Sequence, residues 1–395
     1  MHHAVAVALF PILLAGPVLA QDFNAAAPNA PGQQPAFPGQ TRAPVLADAV
    51  PLARSVMAEG LEHPWGMAEL PDGSWLLTER PGRMRLLYVD GYLSDPISGL
   101  PDLDNRGQGG LLDVIVADDF AETRRLWWSF SEARPMWRSI VQNLRRARAT
   151  RTAVATGILS ADGTAIEDAQ VIFRQDPAWH TLGHYGSRLV LDGRGGLFVT
   201  TGDREEVESA QLAQSADNQI GKVVRIDLAT GQAELWSLGH RNLQSAALGP
   251  DGALWTVEHG PQGGDELNRP EQGKNYGWPV ISYGQNYSGD PLAEGLTAQD
   301  GMEQPVYYWD PVIAPSGMDF YDGAMFPEWQ GDALIGGLAG MALVRLRIED
   351  GRVTGEARHF QDMARIRDVE VASDGAIMLL TDDPEGQMIR VTRGQ

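Results

Sequence analysis

AALGPDGALWTVEHG (246–260) reads as a β-hairpin. Two apolar, alternating runs flank Pro250-Asp251-Gly252, and Asp-Gly tolerates the positive φ that a tight turn demands. The pattern returns at MAELPDGSWLLTE (67–79), LVLDGRGGLFVTTGD (189–203) and VEVASDGAIMLLTDD (369–383), and more loosely at 111–130 and 318–337. One acidic turn residue per copy (Asp72, Asp118, Asp192, Asp251, Asp322 and Asp374) gives a spacing that averages about 60 residues. Such repeats predict an all-β chain, a six-bladed β-propeller of four-stranded antiparallel blades around a central funnel. A large β-sandwich is the competing architecture.

Outside the repeats, Ala4 to Ala20 is uncharged and ends in Val18-Leu19-Ala20 before Gln21, with small residues where signal peptidase prefers them. Residues 1–20 therefore read as a signal peptide, which places the mature chain in the periplasm or outside the cell with no membrane span. Residues 21–50 carry five prolines and little to bury, and read as a Pro/Ala-rich flexible linker. That leaves 51–395 for the propeller. The basic stretch Met136–Arg148 fits a strand or a short helix.

Charge and composition narrow the function. Thirty-one basic against 52 acidic side chains give a net charge of −21, the wrong sign for a nucleic-acid partner. Cysteine is absent, which removes disulfide scaffolds, thiol nucleophiles and Cys-ligated metals. No HExxH, GK[ST] or GxSxG motif is present, so zinc hydrolysis, P-loop chemistry and serine hydrolysis have no support. No βαβ unit suggests a dinucleotide fold.

The repeat also aligns polar side chains. His63, Gln108, His184, Arg241, Ser316 and Arg367 precede their turn acids by 6 to 10 residues, and the return strands deliver Glu79, Asp203, His259 and Asp382. If the strands are equivalent, these groups ring one mouth of the propeller. Arg241, Arg365 and Arg367 with Asn242 and Gln108 suit a planar polycarboxylate, because guanidinium forks bind carboxylates bidentately. A histidine among them could take a proton from a hydroxyl. HGPQGGDELNRPEQGKNYGWP (259–279) is rich in oxygen donors and glycine turns, as a hard cation such as calcium prefers.

At LEHPWGMAELPDG (61–73), GQGGLLDV (107–114), HYGSRLVLD (184–192), GHRN (239–242), EHGPQGGDELN (258–268), NYGWP (275–279) and RIRDV (365–369), the chain resembles the soluble quinoprotein aldose sugar dehydrogenases, relatives of soluble glucose dehydrogenase. That resemblance implies a six-bladed propeller using pyrroloquinoline quinone (PQQ) and calcium to oxidise aldose sugars at the anomeric carbon to lactones. It implies that His184 is the general base, with hydride passing to PQQ and onward to a separate electron acceptor. It implies that Gln108, Arg241, Asn242, Arg365 and Arg367 hold PQQ. The backbone carbonyls of Gly260 and Pro261 would ligate the calcium beside it, and Glu266 and Tyr276 would contribute to a second calcium site. The alternatives are a calcium-dependent propeller lactonase and a non-catalytic propeller that binds partners.

Overall fold

The computed structural model describes residues 23–47, 50–133, 149–292 and 294–394. The expected signal peptide and the Met136–Arg148 stretch lie outside the described residues. Six antiparallel sheets follow one another along the chain. Their innermost strands are Pro64–Glu69, Leu111–Val116, Gly186–Leu191, Leu243–Leu248, Pro315–Phe320 and Ile366–Val371. Each touches the next, and the last touches the first, so the sheets form the ring of a six-bladed propeller.

The expected hairpins are the inner pair of every blade. Asp72, Asp192, Asp251 and Asp374 each accept the amide of the residue two positions on, an Asx turn that closes the loop locally. Second strands such as Trp75–Glu79 and Ile377–Thr381 are buried along their whole length, because each blade is covered by a neighbour on both faces. Among the described residues an apolar cluster fills each of the six blade–blade interfaces.

Four strands per blade holds for most of the ring but not all of it. The first blade has three strands, Pro64–Glu69, Trp75–Glu79 and Arg83–Leu87. The third gains a fifth, because the two-residue strand Lys274–Asn275 pairs in parallel with Ala233–Leu238. The sixth is completed by the N-terminal strand Leu52–Leu61, which pairs antiparallel with Gly386–Arg393.

The linker expectation fails over its described part. Gln40 and Ala43 are 0% and 1% exposed. The amides of Asn29 and Ala30 donate to the Asp310 carboxylate, Gln40 Nε2 donates to the Pro305 carbonyl, and Leu46 pairs with Glu356. The segment is held by backbone hydrogen bonds, which a composition poor in large apolar residues does not reveal.

On the ring axis, Arg188 lies between blades two and six, 3.0 Å from Asp113 and 2.9 Å from Asp368. Asp113 and Asp368 also accept the amides of Leu189 and Met67 on adjoining blades. The guanidinium stands 4.6 Å from the Trp65 ring centre. Among the described residues no helix is long and apolar enough to cross a membrane.

Candidate active site

At one end of the ring each inner hairpin carries a register shift where its first strand begins. Such bulges bend the strand and re-aim its first side chains. Gln108, Asn242, Arg365 and Arg367 open onto one cavity of about 190 Å³, with Arg80, Gln244 and Trp65. His184 and Arg241 open onto an adjoining cleft of about 350 Å³, together with Pro261 and Trp278. The two spaces share a wall: Gln108 Oε1 accepts the His184 amide at 2.9 Å, and Asn242 Oδ1 accepts the Gly186 amide at 3.3 Å.

The smaller cavity has an excess of positive charge. Arg80, Arg365 and Arg367 face one carboxylate, Asp382, which lies 3.1 Å from Arg365 and 2.9 Å from Arg367. Burial opposes ionisation of Asp382, but the two guanidiniums outweigh it and hold the carboxyl below the usual range. Burial pulls Arg367 below its ordinary value, and Arg80 and Arg365 add to this by like-charge repulsion. Among the described residues, the Nε atoms of Arg80 and Arg367 here, and of Arg241 in the neighbouring cleft, are buried without hydrogen-bond partners. Buried donors without acceptors are expensive, so the lining matches an anion with several acceptor oxygens.

In the cleft, His184 adopts a left-handed conformation, φ +48°, and is 7% exposed. Its Nδ1 lies 2.6 Å from Asp203 Oδ1. Asp203 also accepts from the Glu205 amide at 2.9 Å and from Trp278 Nε1 at 2.8 Å. Burial works against the Asp203 carboxylate, yet its hydrogen bond to His184 and the charge of Arg241 hold it below its ordinary value. A carboxylate on Nδ1 fixes the proton there and leaves Nε2 as the acceptor. His259, by contrast, is pushed down to about 3 by burial, with Arg241 adding to the effect, and its Nε2 pairs with the Pro315 carbonyl.

Three of the aligned positions line neither space. Ser316 donates to the Gly336 and Ile366 carbonyls between blades. Glu79 is buried under Arg83 and the Glu62 amide. His63 sits beside Asp382, at 3.5 Å.

Of the expected cation ligands, Gly260 offers a carbonyl that already accepts Arg241 Nη1 at 2.9 Å, and Pro261 lines the cleft. Glu266 lies against buried acids. Burial, then the facing Glu258, raises its carboxyl well above the ordinary value, while Asn268 donates to both carboxylates. Among the described residues, Asn268 Oδ1 is buried and has no hydrogen-bond partner. Two carboxylates and a free amide oxygen, short of positive charge, are a donor set that a hard divalent cation fits. The phenol of Tyr276 is engaged elsewhere, donating to the Arg269 carbonyl and accepting the Glu271 amide, which leaves its backbone carbonyl as the group to offer.

The profile of the family described as Glucose / Sorbosone dehydrogenase matches residues 61–390. The chain belongs to that family. Aldose sugar dehydrogenase YliI of Escherichia coli (strain K12) is 41% identical over 355 residues, 85% of this chain and 92% of that protein. The crystal structure of the soluble aldose sugar dehydrogenase from Escherichia coli in the apo form superposes with a TM-score of 0.81 at 39% identity, covering 87% of this chain and all of that one (100%). The PQQ-bound form of the aldose sugar dehydrogenase from Streptomyces coelicolor shares the fold, with a TM-score of 0.69 at 22% identity over 87% of this chain and 100% of that one.

As a glucose/sorbosone dehydrogenase family member the chain is an oxidoreductase, and its mouth contains groups that the repeat did not flag. Arg80 directly follows the buried Glu79, and Gln244 sits inside the apolar run LQSAAL, where a lone polar residue resembles strand alternation. Both line the arginine-rich cavity. One constellation resembles a hydrolytic triad: Ser237 Oγ is 2.8 Å from His240 Nε2, and His240 Nδ1 is 3.0 Å from Glu258. His240 and Ser237 are 0% exposed, so no substrate reaches them.

Proposed function

We propose that this family member oxidises aldose sugars at the anomeric carbon to lactones, using PQQ and calcium, in the periplasm or outside the cell after loss of residues 1–20. The observation that carries this reading is the imidazole of His184, oriented by a buried ionised carboxylate and set at the wall of a cavity where, among the described residues, the buried Nε donors of Arg80 and Arg367 lack acceptors.

PQQ, when bound, supplies the two-electron oxidant. Arg365, Arg367 and Arg241 would hold its carboxylates, and the side-chain N–H groups of Gln108 and Asn242 would meet its remaining oxygens. The Gly260 and Pro261 carbonyls would take the neighbouring calcium, and Glu266 with the Tyr276 carbonyl would take part in a second site. His184 Nε2 accepts the proton of the anomeric hydroxyl as C–H cleavage proceeds, and Asp203 stabilises the imidazolium that forms. The lost electrons leave through a separate acceptor.

The test is reconstitution. Purified chain is given PQQ and calcium, then an aldose and an acceptor dye. Dye reduction that needs both additions and disappears with a chelator is the expected result. His184→Gln should abolish turnover while PQQ still binds; retained activity removes His184 from the mechanism. Lactone hydrolysis without PQQ would replace the oxidation with a lactonase, and inertness in both assays with a binding module.

A further inference from the structure

The corner Asp203-Arg204-Glu205-Glu206 turns through two consecutive left-handed residues, Arg204 and Glu205, both at φ +66°. Residues with a Cβ rarely occupy that region, and such corners persist where the surroundings demand them. Three of the four side chains are engaged in local structure. Asp203 holds His184. Arg204 lies buried with its guanidinium 3.7 Å from the Tyr185 ring centre and donates to Thr150 Oγ1 and the Thr181 carbonyl. Glu206 accepts Trp179 Nε1 and sits 3.0 Å from His180 Nε2.

Glu205 is the exception. Its amide is tied to Asp203, but among the described residues its carboxylate makes no hydrogen bond or ion pair. That carboxylate folds back over Gly183, the residue before His184. A Cβ on Gly183 would overlap Glu205 Oε2 and lie 2.9 Å from Cδ, so the missing side chain makes room for the acid. The same carboxylate lines the cleft that holds His184, Arg241, Trp278 and Tyr287.

We infer that Glu205 is a substrate-recognition residue, its carboxylate accepting a hydrogen bond from a second hydroxyl of the sugar whose anomeric hydroxyl faces His184. The inference rests on the oxidation proposed above. An ionised carboxylate only accepts, and a sugar presents hydroxyl donors along one edge. Two acceptors on one wall, His184 Nε2 and Glu205, therefore read two hydroxyls together. Trp278 and Tyr287, with Pro261 and Leu292, supply the apolar lining of the cleft.

The test compares holoenzyme with Glu205→Gln, which removes the charge, and with Gly183→Ala, which displaces the carboxylate without altering it. Substrates are one aldohexose and its monodeoxy analogues, and PQQ affinity is measured separately by absorbance titration. Both variants should lose about 10- to 100-fold in kcat/KM on the full aldose, chiefly through KM, as expected for a hydrogen bond to a charged group. On one deoxy analogue they should match the wild type, and PQQ affinity should be unchanged. Equal kcat/KM for wild type and Glu205→Gln across the series overturns the inference. So does a loss of kcat by that variant on every sugar alike, which would put Glu205 in proton transfer. If the wild-type holoenzyme oxidises no aldose, the proposed function itself fails and this inference falls with it.

Discussion

Replacing Arg188 by glutamine removes the cation that ties blade two to blade six on the ring axis. Its surroundings are acidic. Burial raises Asp113 to about 7, with Arg188 the main opposing influence, and Asp368 is likewise raised by burial against the pull of Arg188. Asp319 is pushed to about 7 by burial, and Glu370 well above its ordinary value by burial and then by Asp319 and Asp368. Breaking a buried ion pair by removing one partner costs about 3–5 kcal/mol. At about 2.1 cal/mol/K per residue, a ring of roughly 340 residues has an unfolding entropy near 0.7 kcal/mol/K, which converts that cost to a Tm loss of about 4–7 °C. The loss should depend on pH. A carboxyl whose folded pKa lies above the unfolded 3.8 contributes stability below 3.8 that is lost as pH rises through about 7. Without Arg188 that folded value climbs further and the loss continues to higher pH, so the variant's deficit should be larger at pH 8 than at pH 5. Thermal and urea unfolding of both proteins at the two pH values measure this. Equal Tm at pH 8, or a deficit no smaller at pH 5, would refute the axial ion-pair argument.

Arg367→Ala should weaken PQQ binding about 10- to 100-fold, the loss of one charge-assisted contact, read by absorbance titration; an unchanged affinity removes Arg367 from the cofactor clamp. Asp203→Asn keeps the shape of the hydrogen-bond acceptor to His184 but not its charge. Turnover of the reconstituted enzyme should fall by at least about 100-fold with PQQ affinity intact, because the imidazole is no longer held in one tautomer; a kcat near wild type would show that Asp203 does not orient the base.

The inner hairpins were legible because an Asx turn is local chemistry: the Asp, the Gly and the amide two residues on lie within one short stretch. The missing outer strand of the first blade was not, since the path of the chain beyond Leu87 is set by packing in space rather than by a sequence pattern. The short parallel strand Lys274–Asn275 is a pairing with a distant segment and leaves no periodicity. At the mouth, a common offset found Gln108, His184, Arg241 and Arg367, yet the same offset also selected Ser316, which a register shift turns between blades. Glu205 carried no signal at all, because its placement depends on a glycine that precedes it by 22 positions and on two left-handed residues.

The pairing of Leu52–Leu61 with Gly386–Arg393 makes the first strand of the ring wait for the last. During synthesis the N-terminal strand leaves the ribosome more than three hundred residues ahead of its partner. Until the final strand arrives, the sixth blade is unfinished and its neighbours keep raw faces exposed. A chain built this way completes its fold late, because the circle locks only once its last strand has been made.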